Sequence, residues 1–532
     1  MKNIYTFENE PFVNFKNPKN KTEIEAQLND VQSKLGKQYP LVINGERIKT
    51  ERVIESLNPG KKDEVVGYVS AAGTKEAERA LNVASETFKT WSKVPAKERV
   101  HYLFEASRIM RERKHEFTAW MVFESGKNWL EADADTAEAI DFMEYYARQM
   151  LDLANPEPLI QINPNVDPDM YRPLPAEDNK LEYIPLGVGV VIPPWNFPLA
   201  ILAGTVTSAI VTGNTVILKP SELTSVIGYK FVELMEEVGL PKGVLNFLPG
   251  YGSEIGDYLV DSPKTRFISF TGSRATGTRI YERAAKVQPG QRWLKTVVAE
   301  MGGKDGVVVD ETADLDQAAK DIVSSAFGFQ GQKCSAGSRA IIVESVYDEV
   351  AAKVVDEAKK LVMGPGKDNF EMGPVSDQKS FDKVMGYIEV GKKEAELLLG
   401  GEAGSDEGYY IEPTIFGNVV ETDRIFQEEI FGPVLGLTKA KDYKDAIRQY
   451  NNTEYGLTGA FHSTVEERIE EALEDMQCGN LYINKKCTGA LVGVHPFGGY
   501  NMSGTDSKAG GPDYLLYFTQ PKMKTRKLSN LS

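Results

Sequence analysis

Cys334 stands in the run Gly331-Gln332-Lys333-Cys334-Ser335-Ala336-Gly337. Small and polar neighbours surround it, where a cysteine that only fills core volume would have apolar ones. A cation beside a thiol favours the thiolate, which is the nucleophile, so Lys333 is expected to tune Cys334. A buried, inert cysteine is the alternative reading of the same residue.

Three further clusters have the chemistry of phosphate and ribose recognition. Gly250-Tyr251-Gly252-Ser253-Glu254-Ile255-Gly256 approximates a dinucleotide fingerprint with one residue too many before its last glycine. It reads equally as an ordinary loop. Phe270-Thr271-Gly272-Ser273 lies between an apolar run and a basic helical pattern. It can present backbone N–H groups and a hydroxyl to an anion at a helix N-terminus. In Leu218-Lys219-Pro220-Ser221-Glu222, the acid can accept hydrogen bonds from ribose hydroxyls and Lys219 can donate to them. Pro220 and Ser221 are also a plain helix-start signal, and both readings can hold together.

These residues need a scaffold, and the chain is long enough for two or three domains, with 532 residues. Residues 187–193, 215–218, 244–248 and 267–270 read as strands, and 224–238 as a helix stopped by Gly239. That alternation predicts a parallel α/β sheet. A second alternating series over residues 306–479 predicts a second α/β domain. Residues 73–152 are helical in pattern. Asn44-Gly45 marks a hairpin turn after a polar N-terminal arm. Residues 156–175, rich in Pro and Asn, read as an extended connection. Near the end, Tyr514, Leu516 and Phe518 alternate like an edge strand that pairs elsewhere, as with another subunit.

Composition excludes several classes. The net charge of −16 argues against nucleic acid and anionic membranes. Three cysteines make no disulfide framework and suit a reducing cytoplasm. The four histidines form no metal-ligand spacing, so no metal is expected. The longest apolar run, 186–202, is broken by Pro193, Pro194, Asn196 and Pro198 and cannot span a membrane. No signal peptide is apparent at the N-terminus.

Seven motifs occur in one order: Pro194-Trp195-Asn196-Phe197-Pro198, Leu218 to Glu222, Phe270 to Ser273, Glu300-Met301-Gly302-Gly303-Lys304, Gly331 to Cys334, Glu429-Ile430-Phe431-Gly432-Pro433 and Pro496-Phe497-Gly498-Gly499. Together they resemble the aldehyde dehydrogenase superfamily over about residues 40–520. Residues 332–339, 487–493 and 501–511 further resemble the branch that oxidises glutamate γ-semialdehyde in proline degradation, in its monofunctional form. Many members of that branch have Phe where this chain has Trp195.

The resemblance implies an α/β fold with a Rossmann-type NAD domain (51–150 and 180–298), a second α/β catalytic domain (299–495), an N-terminal arm (1–50) and a small β oligomerisation arm (151–179 and 496–532). It implies Cys334 as nucleophile, Asn196 as oxyanion donor and Glu300 as general base. Pro194, Trp195, Lys219, Ser221, Glu222, Gly252, Gly256, Phe270, Gly272, Ser273, Glu429 and Phe431 would hold the cofactor. Phe197, Lys333, Ser335, Gly489, Ala490 and Phe497 would hold a small amino-acid aldehyde. Glu222 favours NAD by repelling a 2′-phosphate, while Lys219 leaves room for some NADP use. Another ω-semialdehyde acid, such as succinate semialdehyde, is the alternative substrate, and a non-catalytic NAD-binding protein a more distant one. A homo-oligomer, dimer or larger, is expected.

Overall fold

The computed structural model describes residues 6–155, Leu159 and 177–527. The expected connection at 156–175 lies outside the described residues apart from Leu159.

Two seven-stranded sheets carry the fold. The first runs in the order Thr296–Glu300, Thr265–Thr271, Val188–Ile192, Thr215–Leu218, Leu245–Phe247, Leu41–Ile43 and Glu46–Ile48. Its first five strands are parallel. Val188–Ile192 reads Val-Gly-Val-Val-Ile and is buried through Val191, as a strand covered on both faces must be. Each predicted strand of this half is present, Thr215–Leu218 with the expected ends and the others with ends moved by a residue or two. Asn44 and Gly45 turn the hairpin with φ of 55° and 71°. The hairpin is not a free appendage, because Val42 pairs with Phe247 at the sheet's edge.

The expected helical stretch resolves into four helices, Thr74–Trp91, Ala96–Glu112, Lys114–Ser125 and Trp129–Leu153. Helix Ala200–Val211 is apolar nearly all round and almost wholly buried against the last of these. Helix Ser225–Glu237 ends before Gly239, whose φ of 79° no β-carbon residue adopts easily. In the N-terminal arm, Pro18–Gln32 forms a helix that buries Ile24, Leu28 and Val31.

The second sheet orders Glu396–Leu399, Thr414–Gly417, Val434–Ala440, Gly337–Val343, Asp305–Val309, Thr458–His462 and Asn480–Ile483. Only its first strand is antiparallel.

The C-terminus differs from the expectation. Tyr514–Phe518 is a 3-10 turn, which buries Tyr514, Leu515 and Phe518. The Tyr514 ring stacks on Tyr146 at 5.5 Å, and Phe518 meets Phe267 edge-on at 5.4 Å. Core contacts at a period of about three therefore override the apparent alternation. The strand is Thr519–Lys527, and it pairs within the chain, antiparallel to Glu177–Pro185 over nine positions. Among the described residues, no helix is long and apolar enough to cross a membrane.

Candidate active site

In the first sheet the chain leaves strand Val188–Ile192 towards Thr215–Leu218 on one side, and Thr265–Thr271 lies on the other. A crevice opens at the carboxyl ends of strands at such a switch point. The segments leaving these ends are Pro193 to Pro198, Lys219 to Glu222 and Gly272-Ser273. All twelve residues expected to hold the cofactor line one cleft of about 840 Å³, together with Asn196 and Cys334.

Two of the glycine-rich segments meet in the cleft. Glu222 Oε1 accepts from the Gly252 N–H at 2.8 Å and from Lys219 Nζ at 3.2 Å. Burial lowers the Lys219 ammonium from its ordinary value, and Glu222 pulls the other way. Ser273 caps helix Arg274–Ala285, accepting from the Thr276 N–H. Amides at a helix N-terminus and a cation can donate to phosphate oxygens, and a carboxylate can accept from ribose hydroxyls, so these residues fit NAD. Across the cleft, Glu429 Oε1 accepts from the Gly303 N–H at 3.1 Å. Burial pushes its carboxyl up, against the charges of Lys383, Lys304 and Arg274. Phe431, at φ 60°, sets its ring edge-on to Trp195 at 5.6 Å.

Cys334 follows a left-handed stretch, with φ of 48° at Phe329, 55° at Gln330 and 68° at Gly331. Such backbone costs energy and is held by its surroundings. A β-carbon on Gly331 would lie 2.3 Å from the Gly432 carbonyl oxygen. Gln330 Nε2 donates to the Pro374 carbonyl at 2.9 Å, and Gln332 Oε1 accepts from the Ser376 N–H at 2.9 Å. The Gln332 carbonyl accepts from Asn196 Nδ2 at 2.9 Å. One carboxamide thus links the cofactor half to the cysteine loop.

Lys333, expected beside the thiol, has an acidic partner on another element. Its Nζ pairs with Glu131 Oε1 at 2.8 Å. The Cys334 thiol is pushed up, by burial and then by the charges of Asp305, Glu300 and Glu429. Sequence adjacency put Lys333 near in number, but its side chain departs towards helix Trp129–Leu153.

Glu300 ends strand Thr296–Glu300 and is buried, with 8% of the residue exposed. It does not line the cleft; its Oε1 accepts from the buried Ser507 hydroxyl. Oε2 has no partner. Burial pushes this carboxyl up to about 8, against the Ser507 hydrogen bond and the Lys508 charge.

The residues expected to hold the aldehyde's amino-acid end lie outside the cofactor cleft. Phe197 and Phe497 are half-buried, and Phe497 exchanges backbone hydrogen bonds with Ala509. Ser335 is buried, and its carbonyl accepts from Thr458 Oγ1 and Cys487 Sγ. Gly489, at φ 88°, and Ala490 follow Cys487 in a segment without regular secondary structure. Among the described residues neither of their amides donates to a protein acceptor.

Several residues at the site escaped the sequence reading. Glu131, Asp135 and Glu138 recur at helical spacing along Trp129–Leu153. That acidic stripe on a largely buried helix was a legible signal. Burial and then Asp135 push the Glu138 carboxyl up to about 8, while Lys127 and Lys333 draw it down. Burial lowers Lys486, which lies near Lys333 and Glu131. Lys383, whose ammonium burial also lowers, lines the cofactor cleft beside Glu429. Among the described residues no cluster could hold a metal ion.

The Aldehyde dehydrogenase family profile matches residues 47–524. The chain is 58% identical to 1-pyrroline-5-carboxylate dehydrogenase of Geobacillus sp. (strain WCH70) over 520 residues, covering 98% of this chain and 99% of that one. It is 57% identical to the protein of that name from Bacillus subtilis (strain 168), covering 97% and 98%. Among solved structures, the Thermus 1-pyrroline-5-carboxylate dehydrogenase with bound NAD superposes with a TM-score of 0.94 at 47% identity, covering 98% and 99%. The site geometry and the near full-length likeness agree: this chain belongs to the aldehyde dehydrogenase family.

Proposed function

We infer that the chain oxidises L-glutamate γ-semialdehyde, the open form of 1-pyrroline-5-carboxylate, to L-glutamate with NAD, the second step of proline degradation. The observation that carries this is 58% identity to a 1-pyrroline-5-carboxylate dehydrogenase across 98% of the chain. The cleft chemistry around Lys219, Glu222 and Ser273 supports the cofactor.

In this reading Cys334 Sγ, as thiolate, forms a bond to the aldehyde carbon. Asn196 Nδ2–H and the Cys334 N–H donate to the resulting oxyanion, and one such donor is worth about 3 kcal/mol of barrier. When bound, NAD accepts the hydride. The acyl group then remains on Cys334 as a thioester. Glu300 takes a proton from water, water oxygen bonds to the acyl carbon, and the carbon–sulfur bond breaks to release glutamate.

The substrate's two charged groups need partners at the far end. The Gly489 and Ala490 amides, with Ser335, suit the α-carboxylate, and Lys333 and Lys486 make that end positive. Glu138 suits the ammonium group. Phe197 and Phe497 suit the methylenes. A cytoplasmic homo-oligomer remains part of the proposal.

The test is NADH production from 1-pyrroline-5-carboxylate, with NAD and NADP compared in parallel. Faster turnover of succinate semialdehyde than of 1-pyrroline-5-carboxylate would overturn the substrate assignment.

A further inference from the structure

Lys127 has no part in the reaction as proposed, yet its side chain is wholly buried beside the site. It lies in the link between helices Lys114–Ser125 and Trp129–Leu153. Its Nζ is 2.6 Å from Asp135 Oδ2, and both side chains are 0% exposed. A buried ion pair is a weak source of stability, because desolvating both charges offsets most of their attraction. The position of this pair asks for another explanation.

The Lys127 ammonium faces two aromatic rings. It lies 4.1 Å from the Phe197 ring centroid and 4.7 Å from that of Phe329. The rings stand 6.5 Å apart and nearly perpendicular, at 71°. Phe197 follows Asn196, and Phe329 stands in the left-handed stretch before Cys334. Asp135 Oδ1 also accepts from the Ala200 N–H at 2.6 Å, at the start of the helix that follows Phe197. One ion pair therefore ties together the link after Lys114–Ser125, the turn bearing Asn196 and the loop bearing Cys334. An apolar side chain could fill the same volume, but only a desolvated cation attracts two ring faces at once and so fixes their tilt.

We propose that Lys127, held by Asp135, is a positioning residue that fixes the Phe197 ring against Phe329 and thereby sets the site's selectivity for a long aldehyde over a short one. The inference rests on the reading above, in which Phe197 walls the channel for the methylenes. A ring freed from Lys127 would pack less well on those methylenes. A short aldehyde that stops at Cys334 would lose little.

The test compares wild type, Lys127→Met and Phe329→Leu with glutamate γ-semialdehyde and with propanal. Lys127→Met is expected to lower the ratio of kcat/KM for the semialdehyde over propanal by about tenfold, mainly through KM, with the KM for NAD unchanged. Phe329→Leu keeps the ion pair but removes one ring, and it is expected to lower the same ratio. It carries the test alone if Lys127→Met does not fold. An unchanged ratio in the folded variants overturns the proposal. Equal losses with both aldehydes, with a raised KM for NAD, also overturn it, since they mark general packing. A wild-type enzyme that turns over propanal but not the semialdehyde overturns the substrate reading, and the clamp with it; an active wild type with unaltered variants overturns the clamp alone.

Discussion

The Ser507 hydroxyl donates to Glu300 Oε1 where both side chains are buried. Burial pushes the carboxyl up to about 8, and this hydrogen bond opposes the rise. Thioester hydrolysis needs the carboxylate, so its rate should climb with pH through about 8. Ser507→Ala removes the opposing bond and should move that midpoint higher. Below the midpoint, the rate at fixed pH falls about tenfold for each unit of movement. A pH profile of the hydrolytic step in both proteins checks this; superimposable profiles would show that Ser507 does not govern Glu300.

The same carboxyl should shape stability in the opposite sense. Its folded value, about 8, lies above the ordinary glutamate value near 4.3, so the folded protein holds the proton more tightly. The favourable contribution is full below the ordinary value and is lost as pH rises through about 8. Glu300→Gln does not ionise. Urea unfolding should show it gaining on wild type between pH 6 and pH 9, by about 1–3 kcal/mol.

Much of this fold was legible from residue types. Short, valine-rich runs such as Val188–Ile192, bounded by Gly and Pro, suit interior parallel strands, and Asn44-Gly45 and Gly239 carry φ values that few other residues accept. Tyr514, Leu516 and Phe518 misled because alternation over three residues does not separate a strand from a 3-10 turn. Lys333 makes a contact that its neighbours in sequence do not announce. Its partner, Glu131, is 202 residues away in the chain, and no local pattern encodes such a pairing. The stripe at Glu131, Asp135 and Glu138 was within reach of helical periodicity, but its burial depends on what packs against Trp129–Leu153.

Cys334→Ala should abolish NADH formation, by at least about 1,000-fold, and leave NAD binding intact. Fluorescence titration with NAD alongside the rate assay separates the two effects. Retained turnover would remove Cys334 from the mechanism.

Glu222 should govern the choice of dinucleotide. Its Oε1 already accepts from Lys219 and Gly252, which fixes the carboxylate at the cleft wall. Glu222→Gln keeps the shape and removes the charge that repels a 2′-phosphate. The kcat/KM ratio for NADP over NAD should rise about tenfold. Equal changes for both cofactors would mean that the residue only supports the loop.

Glu124 extends this reasoning to the helix that follows Glu222. It is 3% exposed and accepts three hydrogen bonds. Oε1 takes the Ser56 hydroxyl and the Val226 N–H, each at 2.7 Å, and Oε2 takes the Ile227 N–H at 2.7 Å. Val226 and Ile227 open helix Ser225–Glu237, so the carboxyl satisfies amides that a helix start leaves without partners. Glu124→Gln retains one acceptor oxygen and turns an NH2 group towards a donor. The unsatisfied amide should cost about 1–3 kcal/mol in urea unfolding. The short turn Glu222–Thr224 runs directly into this helix, so the KM for NAD should rise as well. Lost stability with an unchanged KM would show that Glu222 keeps its place through Lys219 and Gly252 alone.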